Sequence, residues 1–169
     1  VVRQRGWAED SIVVNVQGDE PLMPIANIKQ VALELIEHPE ASIATLSELL
    51  ASAEQLDDPS VVKVVASMSG NALYFSRAAI PFQRDQTEKS SSLLLAAARR
   101  HIGLYAYRAA FLQAFAAWPP SVMETLESLE QLRALDQGHI IRICEASEPV
   151  PAGVDTPEDL ERARGLLVG

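Results

Sequence analysis

The chain has 169 residues, of which 48% are hydrophobic, and this is enough for one domain with a buried core. Fourteen basic residues face 23 acidic ones, which gives a net charge of −9. A surface of this sign repels nucleic acid and anionic lipid, and no apolar run is long enough to cross a membrane. We therefore predict no nucleic-acid partner and no membrane partner. The one cysteine, Cys144, excludes an internal disulfide and favours a buried structural thiol in a cytoplasmic protein.

A strand, a helix and a second strand follow one another in the first part of the chain. Residues 11–16 form a β-branched run that is typical of a buried strand. Pro24 opens a helix predicted over residues 25–37, and His38-Pro39 ends it. Residues 42–46 read as the next strand, so that the order predicts a βαβ unit with parallel strands.

The rest of the chain alternates strands with shorter helices. Residues 61–67 and 72–76 flank a turn at Gly70 and predict an antiparallel hairpin. Further along, the pattern predicts a flexible connection over 85–98, a strand over 101–107, a helix over 109–117, a helix over 123–136, a strand over 139–145 and a terminal helix after Thr156. We predict one domain over residues 1–169, an α/β fold whose mixed, mostly parallel sheet is flanked by helices.

Two carboxylates lie where predicted strands lead into helices. Asp19, in the loop Gln17-Gly18-Asp19-Glu20-Pro21, follows the first strand, at the edge where open α/β sheets place their ligands. Its hard oxygen suits Mg²⁺, which usually takes one or two carboxylates together with substrate phosphates. Asp155 lies just before the terminal helix and could complete such a site. Acids at these positions also stabilise helix N-termini, and for Asp155 alone that interpretation is the stronger one.

Polar side chains recur on the strand predicted over residues 101–107. His101, Tyr105 and Tyr107 share one face by period-two spacing and could form a polar wall for a sugar, or they could pack as an amphipathic face. Arg77 follows the hairpin and could hold a carboxylate in a bidentate manner, or it could be solvated.

The helix predicted over residues 123–136 carries two further polar candidates. Glu127 and Gln131 are four residues apart and would share a face, suited to sugar hydroxyls or simply to solvent. Leucines at 126, 129, 132 and 135 would form an apolar stripe for the core or for an interface.

Six stretches of the sequence follow one another in a characteristic order: residues 14–21 (VNVQGDEP), 61–65 (VVKVV), 73–78 (LYFSRA), 100–108 (RHIGLYAYR), 129–133 (LEQLR) and 153–160 (GVDTPEDL). These stretches and their order resemble the family of 3-deoxy-manno-octulosonate (KDO) cytidylyltransferases. Related sialic-acid cytidylyltransferases lack the string at residues 14–21.

The resemblance implies an activity: transfer of the cytidylyl group of CTP to KDO with release of pyrophosphate, for lipopolysaccharide biosynthesis. It implies a homodimer, with residues 99–145 as the dimerisation and sugar-binding portion. It also implies site residues: Asp19 and Asp155 as the catalytic pair that binds Mg²⁺, Gln17 close to the substrates, and Arg77, His101, Tyr105, Glu127 and Gln131 around KDO.

One part of the family pattern is not found in this sequence. The strand and loop of pattern Pro-Ala-Arg-x-x-Ser-x-Arg-x-x-x-Lys, which hold the CTP phosphates in the family, are missing, and the chain starts without Met. We therefore expect a truncated chain that has little or no activity alone. Two alternatives stay open: a non-catalytic remnant that binds a sugar acid or dimerises, and a cytidylyltransferase for an amino-substituted KDO or another 2-keto sugar acid.

Overall fold

The computed structural model describes residues 2–84, 94, 97–151, 153–154 and 156–167, apart from the side chains of residues 3 and 167. These residues form a sheet flanked by helices. The strands are β1 (Ile12–Asn15), β2 (Ile43–Leu49), β3 (Lys63–Ala66), β4 (Ala72–Ser76), β5 (Arg99–Arg108) and β6 (Ile141–Glu145). The helices are α1 (Val2–Arg5), α2 (Ile25–Glu37), α3 (Ala53–Asp57), α4 (Ala109–Phe115), α5 (Val122–Glu127), α6 (Gln131–Asp136) and α7 (Pro157–Leu167). The predicted connection over 85–98 lies almost entirely outside the described residues.

Strand β5 is the centre of the sheet. It pairs antiparallel with β2 on one side, and with β3 and then β1 along the other. The order across the sheet is β4-β3-β5-β2-β6, and β2 and β6 are parallel. Strands β1, β2, β3 and β6 therefore run in one direction, while β4 and β5 run in the other. The predicted mixed sheet is confirmed, but it is not mostly parallel: among the described strands only β2 and β6 pair in parallel, because the central strand β5 runs against β1, β2 and β3. Strand β5 also separates β1 from β2, so that the strands of the predicted βαβ unit do not pair with each other.

The first strand is less buried than its sequence predicts. Ile12, Val13 and Val14 are only half-buried, and Asn15 is exposed. The reason is the position of β1, which pairs with β5 along one edge while no other described strand pairs with its second edge. A β-branched run of this kind is typical of a strand that is covered on all sides.

Helix α2 has the predicted bounds. Pro24 precedes it with its φ already fixed, and the backbone N–H of His38 closes the last turn on Glu34. Val31 and Leu35 are fully buried against the face of the sheet that carries Leu104, and they form one of two large apolar clusters. The other cluster lies on the opposite face, where Leu132 of α6 packs among β-strand residues.

The single helix predicted over residues 123–136 is wrong, because the chain breaks it into α5 and α6. Ser121 caps α5 in a capping box with Glu124, and Ser128 ends it with a left-handed φ of 53°. The break divides the predicted leucine stripe: Leu129 is 6% exposed and packs in the core, whereas Leu126 is 80% exposed. It also moves the residues on either side of Ser128 out of helical register with each other.

The prediction that Cys144 is a buried thiol holds only in part. Cys144 is half-buried, and burial raises the pKa of its thiol to about 12, which leaves it a poor nucleophile. Among the described residues, no helix combines the length and the apolar character that a bilayer crossing requires.

Candidate functional site

A cavity of about 950 Å³ lies between the first half of β5 and the turn that joins α5 to α6. It gathers side chains from distant parts of the sequence, as is usual for ligand sites in α/β folds. Five of the eight predicted site residues line it: Gln17, Arg77, His101, Tyr105 and Gln131. Of the other three, Glu127 lies behind Arg77, Asp19 lies on the loop next to Gln17, and Asp155 lies outside the described residues.

Arg77, the first residue after β4, is held by backbone oxygens. Its Nε donates to the carbonyl oxygen of Glu127 at 2.8 Å, and its Nη1 donates to that of Pro59 at 2.9 Å. A guanidinium has five N–H donors, so three remain that no described residue accepts. Arg77 lines the cavity, so that an anionic group bound there could reach its guanidinium. Because Nε and one hydrogen of Nη1 are used, a bidentate partner would have to bind the other hydrogen of Nη1 together with Nη2.

Glu127 is not on the cavity wall, contrary to the prediction that it shares a face with Gln131. Its carboxylate accepts from Ser76 Oγ at 2.6 Å and from the backbone N–H of Arg77 at 2.9 Å, while its carbonyl accepts from Arg77 Nε. Had α5 continued past Ser128, this carbonyl would have bonded within the helix instead. The break therefore makes Glu127 a support for Arg77, whereas Gln131 faces the cavity.

His101 has a defined tautomer. Thr45 Oγ1 lies 2.8 Å from the carbonyl of Leu104 and 2.9 Å from that of Ile102, and its single proton must serve these acceptors. The hydroxyl therefore accepts from His101 Nε2, which lies 2.9 Å away and carries the ring proton. Burial, with a smaller effect from Arg100, lowers the pKa of His101 to about 3, so the ring is neutral near pH 7. Its Nδ1 is left as a hydrogen-bond acceptor.

The three polar residues predicted on one face of β5 lie side by side. The rings of His101 and Tyr105 are 5.3 Å apart, and Tyr107 stacks on Tyr105 at 5.6 Å. His101 and Tyr105 line the cavity, whereas Tyr107 does not and packs against the core cluster that includes Tyr105. Burial raises the pKa of Tyr105 well above its usual value, so its hydroxyl stays protonated and can donate to a ligand.

Gln17 reaches the cavity across the backbone of β5. A side-chain carbon at Gly103 would lie 3.2 Å from Gln17 Nε2, so the lack of a side chain there leaves the room that Gln17 occupies. No role was predicted for Gly103 from the sequence. Its signal was a glycine inside a strand, which often marks a close approach.

Arg100 is a cavity residue that the prediction of the site omitted. Its Nη2 lies 2.6 Å from Glu48 Oε1, and its buried Nε has no hydrogen-bond partner among the described residues. Together with Arg77 it gives the cavity two guanidinium groups in a chain of net charge −9. The available signal was a second cation beside His101, on a strand with alternating polar residues.

The loop that carries Asp19 lies against the segment before α7. The backbone N–H of Val154 donates to the carbonyl of Asp19 at 2.8 Å, and a side-chain carbon at Gly153 would lie 3.3 Å from the same oxygen. The Asp19 carboxylate is exposed, and no described residue hydrogen-bonds to it. Among the described residues, no cluster of three or more potential metal ligands is present.

The described residues form an α/β fold with a polar cavity that two arginines line, and the comparisons identify the family of the chain. The chain belongs to the cytidylyltransferase family, whose model, described as "Cytidylyltransferase", matches residues 1–143. A 3-deoxy-manno-octulosonate cytidylyltransferase of Pseudomonas syringae pv. tomato is 54% identical over 99% of this chain and 66% of the relative. One of Stenotrophomonas maltophilia is 52% identical over 98% of this chain and 65% of the relative.

A solved structure shows the same relationship. CMP:2-keto-3-deoxy-manno-octonic acid synthetase, in complex with CTP, matches 99% of this chain with a TM-score of 0.85 and 37% identity. The match covers 66% of that chain. The resemblance seen in the sequence and the fold class are therefore confirmed, and the chain spans about two thirds of the length of the curated relatives that it matches.

The neutral state of His101 predicts a pH dependence of stability. The pKa of His101 is about 3 in the fold against an ordinary value of 6.5, so below pH 6.5 the unfolded chain takes up a proton that the folded chain does not. The contribution of His101 to the free energy of unfolding is therefore greatest above pH 6.5, and it decreases as the pH falls towards 3. Between pH 7 and pH 5 we expect the wild-type free energy of unfolding to fall by about 2 kcal/mol more than that of His101→Gln, measured by urea denaturation. Equal pH dependence in the two proteins would contradict a neutral buried His101.

Proposed function

We propose that this chain supplies the sugar-acid pocket and a metal-binding carboxylate for transfer of a cytidylyl group from CTP to KDO. The family and the names of the relatives support this reaction, and the cavity supports the choice of ligand. The observation that carries the proposal is Arg77, which lines a polar cavity while two backbone carbonyls hold its guanidinium.

The charge of the cavity fits a carboxylated sugar. KDO has one carboxylate, which the Nη end of Arg77 can bind with charge-assisted hydrogen bonds. Arg100 adds a second positive charge nearby, although Glu48 offsets part of it. A local positive charge is needed to bind this anion, because the overall negative charge of the chain opposes its approach.

The other cavity residues offer partners for hydroxyl groups. Nδ1 of His101 accepts, since its Nε2 donates to Thr45. Gln131 is 5% exposed and presents an amide, which can both donate and accept. Gln17 presents a second amide on the side of the acidic loop. We propose that these groups fix the orientation of the sugar ring once Arg77 holds the carboxylate.

In the proposed reaction the anomeric 2-hydroxyl oxygen of KDO attacks the α-phosphorus of CTP in line. The new O–P bond forms as the bond to pyrophosphate breaks, and the hydroxyl proton passes to solvent water. Positioning accounts for much of the rate in such transfers, because the protein forms no covalent bond to the phosphoryl group. The pocket contributes by holding the attacking hydroxyl in one place.

The implied metal fits one described residue. Asp19 offers an exposed carboxylate beside Gln17, and Mg²⁺ in nucleotide sites often takes one or two carboxylates plus phosphate oxygens. We propose Asp19, with Asp155 as its partner, as the residues that hold Mg²⁺. The ion would supply charge stabilisation at the phosphate oxygens.

We also propose a cytoplasmic homodimer. Val122 and Leu126 lie one turn apart on α5 and are 76% and 80% exposed, which supports an interface within residues 99–145. Light scattering that returns the mass of one chain would contradict the dimer.

The role of Arg77 predicts a loss of affinity for KDO. Arg77→Met removes charge-assisted hydrogen bonds of ~1.5–3 kcal/mol, so KDO should bind about 10- to 100-fold more weakly in isothermal calorimetry. The methyl ester of KDO, which lacks the charge, should bind wild type and variant alike. Arg164→Met, at an exposed arginine of α7, is the control and should bind KDO as wild type does. Unchanged affinity in Arg77→Met would refute the proposed pocket.

The role of Asp19 predicts where a divalent ion binds. Mn²⁺, used as a paramagnetic substitute for Mg²⁺, should broaden the NMR signals of residues 17–20 before others. Asp19→Asn should weaken this binding by roughly tenfold or more, since losing even an outer-sphere partner can cost that much. Asp136→Asn, at an exposed acid that ends α6, is the matched control. Broadening that centres elsewhere, or that persists in Asp19→Asn, would exclude Asp19 as a ligand.

A further inference from the structure

Lys63, the first residue of β3, is a fully buried lysine that the proposed reaction leaves without a role. It is 0% exposed, yet it does not line the cavity. No carboxylate of the described residues lies within ion-pair distance of its ammonium group. Burial lowers the pKa of Lys63, and the carboxylates of Asp58, Asp57 and Glu127 oppose that shift from beyond ion-pair distance. The buried ammonium group therefore needs hydrogen-bond acceptors close to it.

The Lys63 ammonium binds two backbone carbonyls. Nζ donates to the carbonyl of Arg77 at 2.7 Å and to that of Asp58 at 2.7 Å. The first bond fixes the backbone from which the Arg77 side chain extends. The second fixes the loop that precedes β3, just before Pro59.

The same loop also contacts the guanidinium group of Arg77. The carbonyl of Pro59, the residue next to Asp58, accepts from Arg77 Nη1 at 2.9 Å. The loop is stiffened locally, because Asp58 Oδ1 accepts from both the N–H and the hydroxyl of Ser60. Lys63 therefore acts on Arg77 at its backbone directly and at its guanidinium through the loop.

We propose that Lys63 is a positioning residue that holds Arg77 in the orientation needed to bind the carboxylate of a sugar acid, without touching that ligand. The inference rests on the proposed function in its choice of ligand, and it deepens that function by extending the pocket to a residue behind it. An apolar side chain would fill the same space but would remove the donor to the Arg77 carbonyl and leave the Asp58 carbonyl with the Val61 N–H as its partner. The bonds from Arg77 to Glu127 would remain, without the added restraint on the Arg77 backbone and on the loop at Pro59.

A double-mutant cycle tests whether Lys63 acts through Arg77. Lys63→Met should lower the affinity for KDO by about tenfold, within the range of coupling between residues of one network. In the background of Arg77→Met, adding Lys63→Met should produce no further loss. Lys29→Met, at an exposed lysine of α2, is the matched control and should leave KDO affinity unchanged. A Lys63→Met variant that binds as wild type, or losses that simply add, would overturn the proposal.

A second measurement needs no ligand and separates this inference from the proposed function. In wild type, ¹⁵N relaxation of Arg77 Nε should show a side chain as ordered as the backbone, whereas exposed Arg164 should be mobile. In Lys63→Met, or in Lys63→Gln if the former does not fold, Arg77 Nε should become mobile. A mobile Arg77 in wild type overturns the role of Lys63 whichever variants fold. Absence of KDO binding by a wild-type chain with an ordered Arg77 would instead contradict the proposed function alone.

Discussion

The contact between Glu127 and Arg77 is the constraint on which the site depends. Arg77 donates twice to Glu127, from its backbone N–H to the carboxylate and from Nε to the carbonyl. A third hydrogen bond, from Ser76 Oγ to the same carboxylate, completes the link between the end of β4 and the end of α5. The carbonyl is available only because α5 ends there, with Ser128 in a left-handed conformation. The same turn brings Gln131 to the cavity wall. One local break in a helix thus sets both the direction of the arginine and the shape of the pocket opposite it.

The net charge of the chain is negative, whereas the charged groups gathered at the cavity include two arginines. A chain of net charge −9 disfavours anions in general, yet Arg77 and Arg100 line one cavity and Lys63 lies buried behind it. Burial strengthens each of these interactions relative to the surface, where solvent screens them. His101 adds no charge, because its ring is held neutral by burial. The cavity therefore combines a localised positive charge with neutral hydrogen-bonding groups, a combination suited to a hydroxylated acid.

Much of the fold could be predicted, because its signals are local. Pro24 and His38-Pro39 mark the ends of α2, and Gly70, with its positive φ of 80°, marks the hairpin between β3 and β4. The break at Ser128 could not be predicted, because serine does not signal a left-handed residue and the flanking leucines continue a helical pattern. The half-exposure of β1 depends on which strands lie beside it, and no residue within β1 encodes that.

The site, like the fold, could be predicted from the sequence only in part. Arg77, His101, Tyr105, Gln17 and Gln131 could be nominated from residue type, strand position and family resemblance, and the fold gathers them in one cavity. The contacts that give them their properties are long-range. The tautomer of His101 depends on Thr45, 56 residues away, and the change of Glu127 from wall to support depends on the helix break. The role proposed for Lys63 depends on a loop carbonyl that no sequence pattern marks.

The most direct test of the account is an NMR titration of the wild-type chain with KDO. We expect the largest shifts at Arg77 Nε, at the His101 ring and at the amides of Gln17 and Gln131, and we expect His101 Nδ1 to shift as an unprotonated acceptor. The pattern should be the same with and without CTP. Shifts centred on another surface, or a His101 ring that becomes protonated on binding, would contradict a sugar-acid pocket built around Arg77.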